Sequence, residues 1–160
     1  MSAFHKLSIK NYIQETANAV SIVFDVPENL KTNFSYKAGQ YITLKATVNG
    51  NEIRRAYSIC SAPESGELKV AIKAVENGVF STYATSQLKV GDLIEVHEPE
   101  GKFMLEPTKS NNYLGIAAGS GITPVLSMIK AVLQQEPSSS FTLIYGNKSS
   151  DETMFKAELD

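Results

Sequence analysis

The 160 residues include a single cysteine, Cys60, and only two histidines, His5 and His97. One cysteine excludes an internal disulfide, and a cluster needing four cysteine thiolates cannot be assembled from these residues. Cys60 stands in an apolar run, where it reads as a small buried side chain rather than a reactive thiol. The two histidines belong to different strands, and neither has the acidic-plus-histidine spacing of a metal site. Charge of one sign is also scarce: 15 Lys and Arg against 17 Asp and Glu leave a net charge of −2. That balance carries no footprint for nucleic acid or an anionic membrane surface. Any anion site must therefore be local, built from a few placed residues. No apolar stretch approaches the roughly 20 residues needed to cross a bilayer. "MSAFHKLSIK" lacks the apolar segment of a secretory signal. These absences point to a reducing, cytoplasmic compartment. No Gly-x-Ser-x-Gly elbow supports a hydrolase, and no internal repeat or low-complexity segment is present.

What is present falls into two grammars. Hydrophobic residues make up 42% and charged residues 20%, ordinary values for a globular chain. The length suits one medium domain, or one complete domain with part of a second. The first hundred residues read as strands. Val20, Ile22, Phe24 and Val26 alternate with Ser21, Val23 and Asp25 before Pro27. In "YITLKATV", Ile42, Leu44, Ala46 and Val48 share one face. Period two of this kind predicts half-buried antiparallel strands. "VNGNEI" places Asn-Gly between alternating runs, a hairpin signal that pairs 41–48 with 53–61. Leu68, Val70, Ile72 and Ala74 are in phase after "PESGEL", and "DLIEVHEP" follows the turn at Gly91-Asp92. Glu95, Glu98 and Glu100 read as solvated charge near a turn. Short strands at this spacing predict an antiparallel barrel or sandwich. One short helix interrupts it at "FSTYATSQL", where Phe80, Tyr83, Ala84 and Leu88 keep helical spacing.

After about residue 108 the grammar changes. "NYLGIAA" has no polar alternation, as in a parallel strand covered on both faces. "GSGITP" is a tight glycine turn. "PVLSMIKAVLQQ" is a helix with Val125, Ile129 and Val132 or Leu133 on one face. "PSSSF" is a loop, "FTLIYGN" a second buried strand and "DETMFKAEL" the start of another helix. Met104, Met128 and Met154 read as packing residues. Strand, helix, strand, helix is the opening of a doubly wound α/β domain. Such sheets normally have about five or six strands, and only two are written here. The expected organisation is an antiparallel barrel over 1–108, then the first half of a parallel α/β domain over 109–160, as in a longer protein cut short.

Three constellations could carry chemistry. In "RRAYS", residues two apart share a strand face, so Arg55 and Tyr57 point together while Arg54, Ala56 and Ser58 point oppositely. A guanidinium fork suits phosphate, and a tyrosine ring suits a stacked heteroaromatic. The plainer reading is a surface arginine beside a half-buried tyrosine. In "ENGVFSTYATS", Gly78 precedes the helix, with Ser81 and Thr82 in its first turn. Open N–H groups there form an anion site without net charge; the plainer reading is a capping hydroxyl. In "AAGSGITP", Gly119 and Gly121 let backbone approach a ligand, Thr123 suits the N-cap and Pro124 the first helical position. A glycine turn between parallel strand and helix is where diphosphates bind. Neither the full Rossmann glycine fingerprint nor a Walker A loop is present, and a plain turn is the alternative.

Taken in order, these motifs resemble the ferredoxin–NADP reductase family of flavin oxidoreductases. The resemblance rests on Arg55-Ala56-Tyr57-Ser58, "IKAVENGVFSTY", "PEGKF", "AAGSGITP" and "LIYGNKSSDETMFKAEL", and covers essentially the whole chain. Within the family the sequence is most similar to reductases that serve oxygenases, those of phenylacetate degradation among them. The resemblance implies an FAD-binding barrel and a nicotinamide-binding domain taking NADH or NADPH. It implies electron delivery to an iron–sulfur cluster, carried in a domain absent from this chain, and then to an oxygenase. It further implies that Arg55 binds the flavin diphosphate, Tyr57 stacks on the isoalloxazine and Ser58 hydrogen-bonds near flavin N5. Gly78, Val79, Phe80 and Ser81 are implied to cradle the diphosphate, and Ile72 and Lys73 to line the ribityl and phosphate region. Gly119, Ser120, Gly121, Ile122 and Thr123 are implied to hold the nicotinamide cofactor, with Thr123 near both rings. Lys148 stands where relatives often carry an arginine meeting the adenosine end, which favours NADPH. Two other readings stay open: a non-catalytic flavin-binding electron-transfer subunit, and a cofactor-free interaction module on the same barrel.

Overall fold

The computed structural model describes residues 3–160. The period-two runs form strands that curl around one set of apolar side chains. β1 (Phe4–Thr16) and β2 (Ala19–Asp25) are followed by β3 (Tyr41–Val48) and β4 (Asn51–Ser58). β5 (Leu68–Lys73), a helix α1 (Val79–Ser86) and β6 (Leu93–His97) complete the first part. The antiparallel sheet has the order β4-β3-β6-β1-β2-β5. Its two ends approach each other where Ile59, just past β4, bridges Val70 of β5. The sheet thus curls into a barrel filled by Leu7, Ile9, Val20, Ile22, Ile42, Leu44, Val70, Ile72 and Val96. Phe80 and Ala84 of α1 are buried in the same cluster, and the Tyr12 hydroxyl donates to the Ala84 carbonyl at 3.1 Å.

The β3–β4 hairpin is a two-residue turn with Asn49 at φ 52° and Gly50 at φ 77°. Both central residues have positive φ, the geometry that matches strand twist and favours Asn-Gly. β4 ends at Ser58 rather than 61, because Ile59 leaves β3 to meet β5. β1, the longest strand, has no clean alternation in sequence; its pairing shifts register between Ile9 and Asn11 and between Gln14 and Thr16. β2 is not half-buried. Ser21 and Val23 are as inaccessible as Val20 and Ile22, because the outer side of β2 is covered as well. Nor are the three glutamates of 95–100 merely solvated. Glu95 pairs with Lys45 at 2.9 Å, and Glu98 accepts from Asn33 at 2.8 Å and meets His5 at 3.2 Å. Glu100 pairs its backbone with Tyr41.

The second part has β7 (Asn112–Ala118), α2 (Ile122–Gln135), β8 (Ser140–Gly146) and a one-turn α3 (Lys156–Leu159). β7 and β8 pair in parallel, Asn112 opposite Ser140 through Ala118 opposite Gly146. A Cβ at Gly115 would lie 2.9 Å from Val125 and 2.7 Å from Phe141; the glycine lets α2 sit close on the sheet. Of the two candidates for the inner face of α2, Val132 is buried and Leu133 is exposed. Two expectations fail here. Leu114, Ile116 and Ile144 are exposed, so among the described residues only one face of this sheet is covered. The helix at "DETMFKAEL" is split into a 3₁₀ turn, Ser150–Glu152, and α3. Met128 and Met154 are packed inside, whereas Met104 is exposed.

The two parts share a seam. Ala19, Cys60 and Ala71 of the barrel pack against Ile122, Val125, Leu126, Met154 and Phe155. Cys60 is inaccessible, and burial pushes its thiol up to about 12. Lys69 reaches Glu158 at 3.3 Å, and Lys130 reaches the same carboxylate at 2.7 Å. Glu136 accepts from the N–H groups of Thr108 and Lys109 at 2.7 and 3.0 Å and from the Tyr113 hydroxyl, tying the crossing chain to α2. No helix among the described residues is long and apolar enough to cross a membrane. At the centre of the seam the Ser127 hydroxyl donates to the Ser61 carbonyl at 2.6 Å, with both residues buried. Ser127→Ala leaves that carbonyl without its donor and is expected to cost about 1–3 kcal/mol, read by urea unfolding. An unchanged midpoint would mean the bond contributes nothing across the seam.

Candidate functional site

β4 separates the two arginines. Arg54 lies opposite Lys45, and its Nε and Nη2 donate to Glu52 Oε1 at 2.9 and 2.6 Å. Its guanidinium also lies 5.1 Å over the Phe4 ring. Arg55 and Tyr57 lie opposite the core residues Leu44 and Ile42, so they share one face of β4, and both line the cleft. The Arg55 Nη1 donates only to the Arg54 carbonyl, at 2.7 Å, and no carboxylate among the described residues pairs with it. Tyr57 is half-buried with its ring centroid 5.8 Å from that of Phe80. Desolvation pushes its hydroxyl up to about 12; like any tyrosine it is neutral at physiological pH. No side-chain bond within the described residues engages the Ser58 hydroxyl.

The start of α1 is knotted by Ser81. Its Oγ accepts from the Val75 N–H at 3.2 Å and donates to the Gly78 carbonyl at 3.2 Å. A Cβ at Gly78 would lie 2.3 Å from that Oγ and 2.5 Å from Val75 Cγ2. Ser81 therefore tightens the loop instead of capping the helix. Thr82 is the first residue to bond inside α1, from its N–H to the Gly78 carbonyl at 2.9 Å. The N–H groups before it are open to an anion.

The glycine turn is a 3₁₀ turn, Gly119–Gly121, running directly into α2. Gly119 has φ 52°, a left-handed conformation that favours glycine. The Tyr145 hydroxyl donates to its carbonyl at 3.0 Å and holds the turn to β8. Thr123 is not the N-cap, since the helix begins at Ile122. Its hydroxyl donates to the Ser120 carbonyl at 3.0 Å, and Pro124 is the third helical residue.

These three pieces meet around one cleft of about 410 Å³, within the usual range for small-molecule sites. The barrel contributes Arg55 to Ser58, Lys73, Val75, Gly78, Phe80 and Ser81; the α/β part contributes Ser120, Gly121, Thr123 and Pro124. Not every predicted residue arrives there. Ile72 and Ile122 are fully buried in the two apolar clusters, so neither side chain lines the cleft. On β5 it is Ala71 and Lys73 that do so, on the face opposite Ile72, as strand alternation allows. Val79 points outward, and Gly119 and Lys148 lie off the wall, the latter exposed after β8. One residue had no sequence signal: Glu152, whose Oε2 lies 2.6 Å from Lys73 Nζ, comes from 79 positions away. No group of three or more His, Cys, Asp and Glu among the described residues is arranged to hold a metal.

An uncommitted guanidinium, a flat neutral ring, open helix N–H groups and a bare glycine turn fit a phosphorylated aromatic cofactor. The comparisons agree. The family model for an oxidoreductase FAD-binding domain matches residues 6–105, and that for an oxidoreductase NAD-binding domain matches 116–160. The chain is 47% identical to one of the subunits of 1,2-phenylacetyl-CoA epoxidase from Escherichia coli, over 99% of this chain and 45% of that protein. It is 34% identical to the ferredoxin reductase component of 3-ketosteroid-9-alpha-monooxygenase from Rhodococcus rhodochrous, over 96% and 44%. It thus spans less than half the length of these curated relatives. Among solved structures, phthalate dioxygenase reductase superposes with a TM-score of 0.82 at 28% identity, over 98% of this chain and 47% of that one. The flavohem-like FAD/NAD-binding domain of nitric oxide dioxygenase from Vibrio cholerae gives 0.85 at 26%, over 98% and 68%.

The Val75–Gly78–Ser81 knot makes Gly78 a sensitive position. Gly78→Ala is expected to lower stability by about 1–3 kcal/mol through overpacking, measured by chemical denaturation. A full-stability variant would show that the knot yields without cost.

Proposed function

The chain belongs to the ferredoxin-reductase-like family of FAD- and NAD-binding oxidoreductases, and from that premise we propose that the whole protein is an NAD(P)H-dependent flavin reductase. The observation that carries this reading is the cleft where Arg55, Tyr57, the start of α1 and the glycine turn converge. FAD, when bound, supplies a centre that takes an electron pair from NAD(P)H and releases electrons singly. The residues supply binding, orientation and exclusion of water. Arg55, with no internal carboxylate, neutralises the flavin diphosphate together with the open N–H groups that follow Gly78. Val79, Phe80 and Ser81 contribute that cradle through their backbone, since the Phe80 side chain is buried in the barrel core and the Ser81 hydroxyl is held by Val75 and Gly78.

Tyr57, braced by Phe80, offers the stacking face. Ser58 offers its hydroxyl to the N5 edge, and Thr123, held by the Ser120 carbonyl, sits across from both on the α/β side. Ile72 and Ile122 act from behind as packing that keeps β5 and α2 rigid. Gly119, Ser120 and Gly121 receive the nicotinamide nucleotide, and Lys148, exposed beyond β8, favours the 2′-phosphate of NADPH over NADH. On this reading residues 1–108 are the FAD-binding unit and 109–160 the opening of the NAD(P)-binding unit. Electrons pass to an iron–sulfur centre outside these residues and on to an oxygenase. The names of the ferredoxin reductase component of the ketosteroid monooxygenase and of phthalate dioxygenase reductase support that route, and the epoxidase relative is a subunit of an oxygenase system. Similarity to the epoxidase component favours phenylacetate degradation, in the cytoplasm.

The whole protein is expected to purify with flavin absorbance that bleaches under anaerobic NADH or NADPH. Retained flavin that neither nucleotide bleaches would sink the hydride-transfer assignment. Arg55→Ala is expected to weaken flavin binding by about tenfold or more, and Arg54→Ala far less. Equal losses would remove the argument from facing.

A further inference from the structure

The barrel's second cation on the cleft wall is already engaged. Lys73 Nζ lies 2.6 Å from Glu152 Oε2, so the pair runs from the last residue of β5 to the 3₁₀ turn after β8. The side chains are 19% and 32% exposed, so solvent screens this pair less than one on the open surface. Lys73, helped by Lys148, holds the Glu152 carboxyl below its ordinary range. An anion entering the cleft therefore meets one uncommitted cation, Arg55, and one whose charge is cancelled.

The position of the carboxylate matters. Glu152 follows the C-terminal end of β8, the edge where open α/β sheets receive nucleotides. A phosphate arriving at that edge competes with Glu152 for the single positive charge of Lys73. Resting on the reading of the cleft given above, we propose that Glu152 is a positioning residue that competes with the phosphates of the nicotinamide nucleotide for Lys73. Binding then exchanges an internal ion pair for an external one. The carboxylate holds Lys73 at the nucleotide edge while the cleft is empty, and it weakens the grip on the nucleotide when the cleft is filled. Release of the spent cofactor is easier for that reason.

The test uses the whole flavin-loaded protein titrated calorimetrically with NAD⁺ and NADP⁺, neither of which reduces flavin. Glu152→Gln keeps the shape and removes the charge. It is expected to bind the preferred oxidised nucleotide about threefold to fivefold more tightly, with a steeper loss of affinity as salt is added. Lys73→Met is expected to bind more weakly, and E152Q placed in the K73M background to restore little. In steady state, E152Q lowers KM for the reduced nucleotide without raising kcat. Unchanged or weaker binding by E152Q overturns the proposal, even if its unfolding midpoint falls. So does a gain of the same size in the K73M background, because the carboxylate would then act by direct repulsion. A wild-type protein that holds no flavin, or binds neither nucleotide, fails at the earlier step and removes the reading of the cleft itself.

Discussion

Small side chains on the outer face of the barrel set what the rest of the molecule can do. Ala19 of β2, Ala71 of β5 and Cys60 beside β5 leave room for Ile122, Leu126 and Met154 to pack closely against the barrel. Apolar area removed from water drives that contact, and the buried Ser127–Ser61 bond fixes its register. At Ala19 the seam also covers the outer face of β2. Because the start of α2 is pinned beside β5, the glycine turn before it stands across from Arg55, Tyr57 and Gly78. The cleft exists because the seam closes behind it.

Its preference for anions does not come from bulk charge. The net charge is −2, and several of the barrel's cations are already paired. Arg54 is held by Glu52, Lys45 by Glu95, Lys69 by Glu158 and Lys73 by Glu152. Among the described residues Arg55 stands apart, bonded only to a neighbouring carbonyl. An uncommitted guanidinium beside open helix N–H groups can attract a diphosphate where the surface as a whole would not. The neutral Tyr57 ring, half-buried beside Phe80, adds a flat face without adding charge.

Much of this was legible from residue order. Asn49-Gly50 located the hairpin because few other residues accept positive φ at both turn positions. The spacing in Arg55-Ala56-Tyr57 separated one arginine from the other because strand faces alternate strictly. The same rule, applied to β5, selects Ala71 and Lys73 for the cleft and consigns the Ile72 side chain to the core, whereas the family resemblance implies Ile72 and Lys73. Thr123 looked like an N-cap, but the preceding 3₁₀ turn lets helical geometry begin one residue earlier, at Ile122. β1 was hard to delimit because its two register shifts break the alternation that marks other strands.

By itself, then, the sequence determined the succession of barrel and α/β parts, the hairpin register, and the residue types able to hold a diphosphate and a ring. Those features are local, set by backbone preferences and by periodicities of two and 3.6 residues. Tertiary structure alone decided which faces were covered twice, which side chains reached the cleft, and that Lys73 meets Glu152. Such contacts join residues far apart in the chain, and nothing in the spacing of either partner specifies the distance between them.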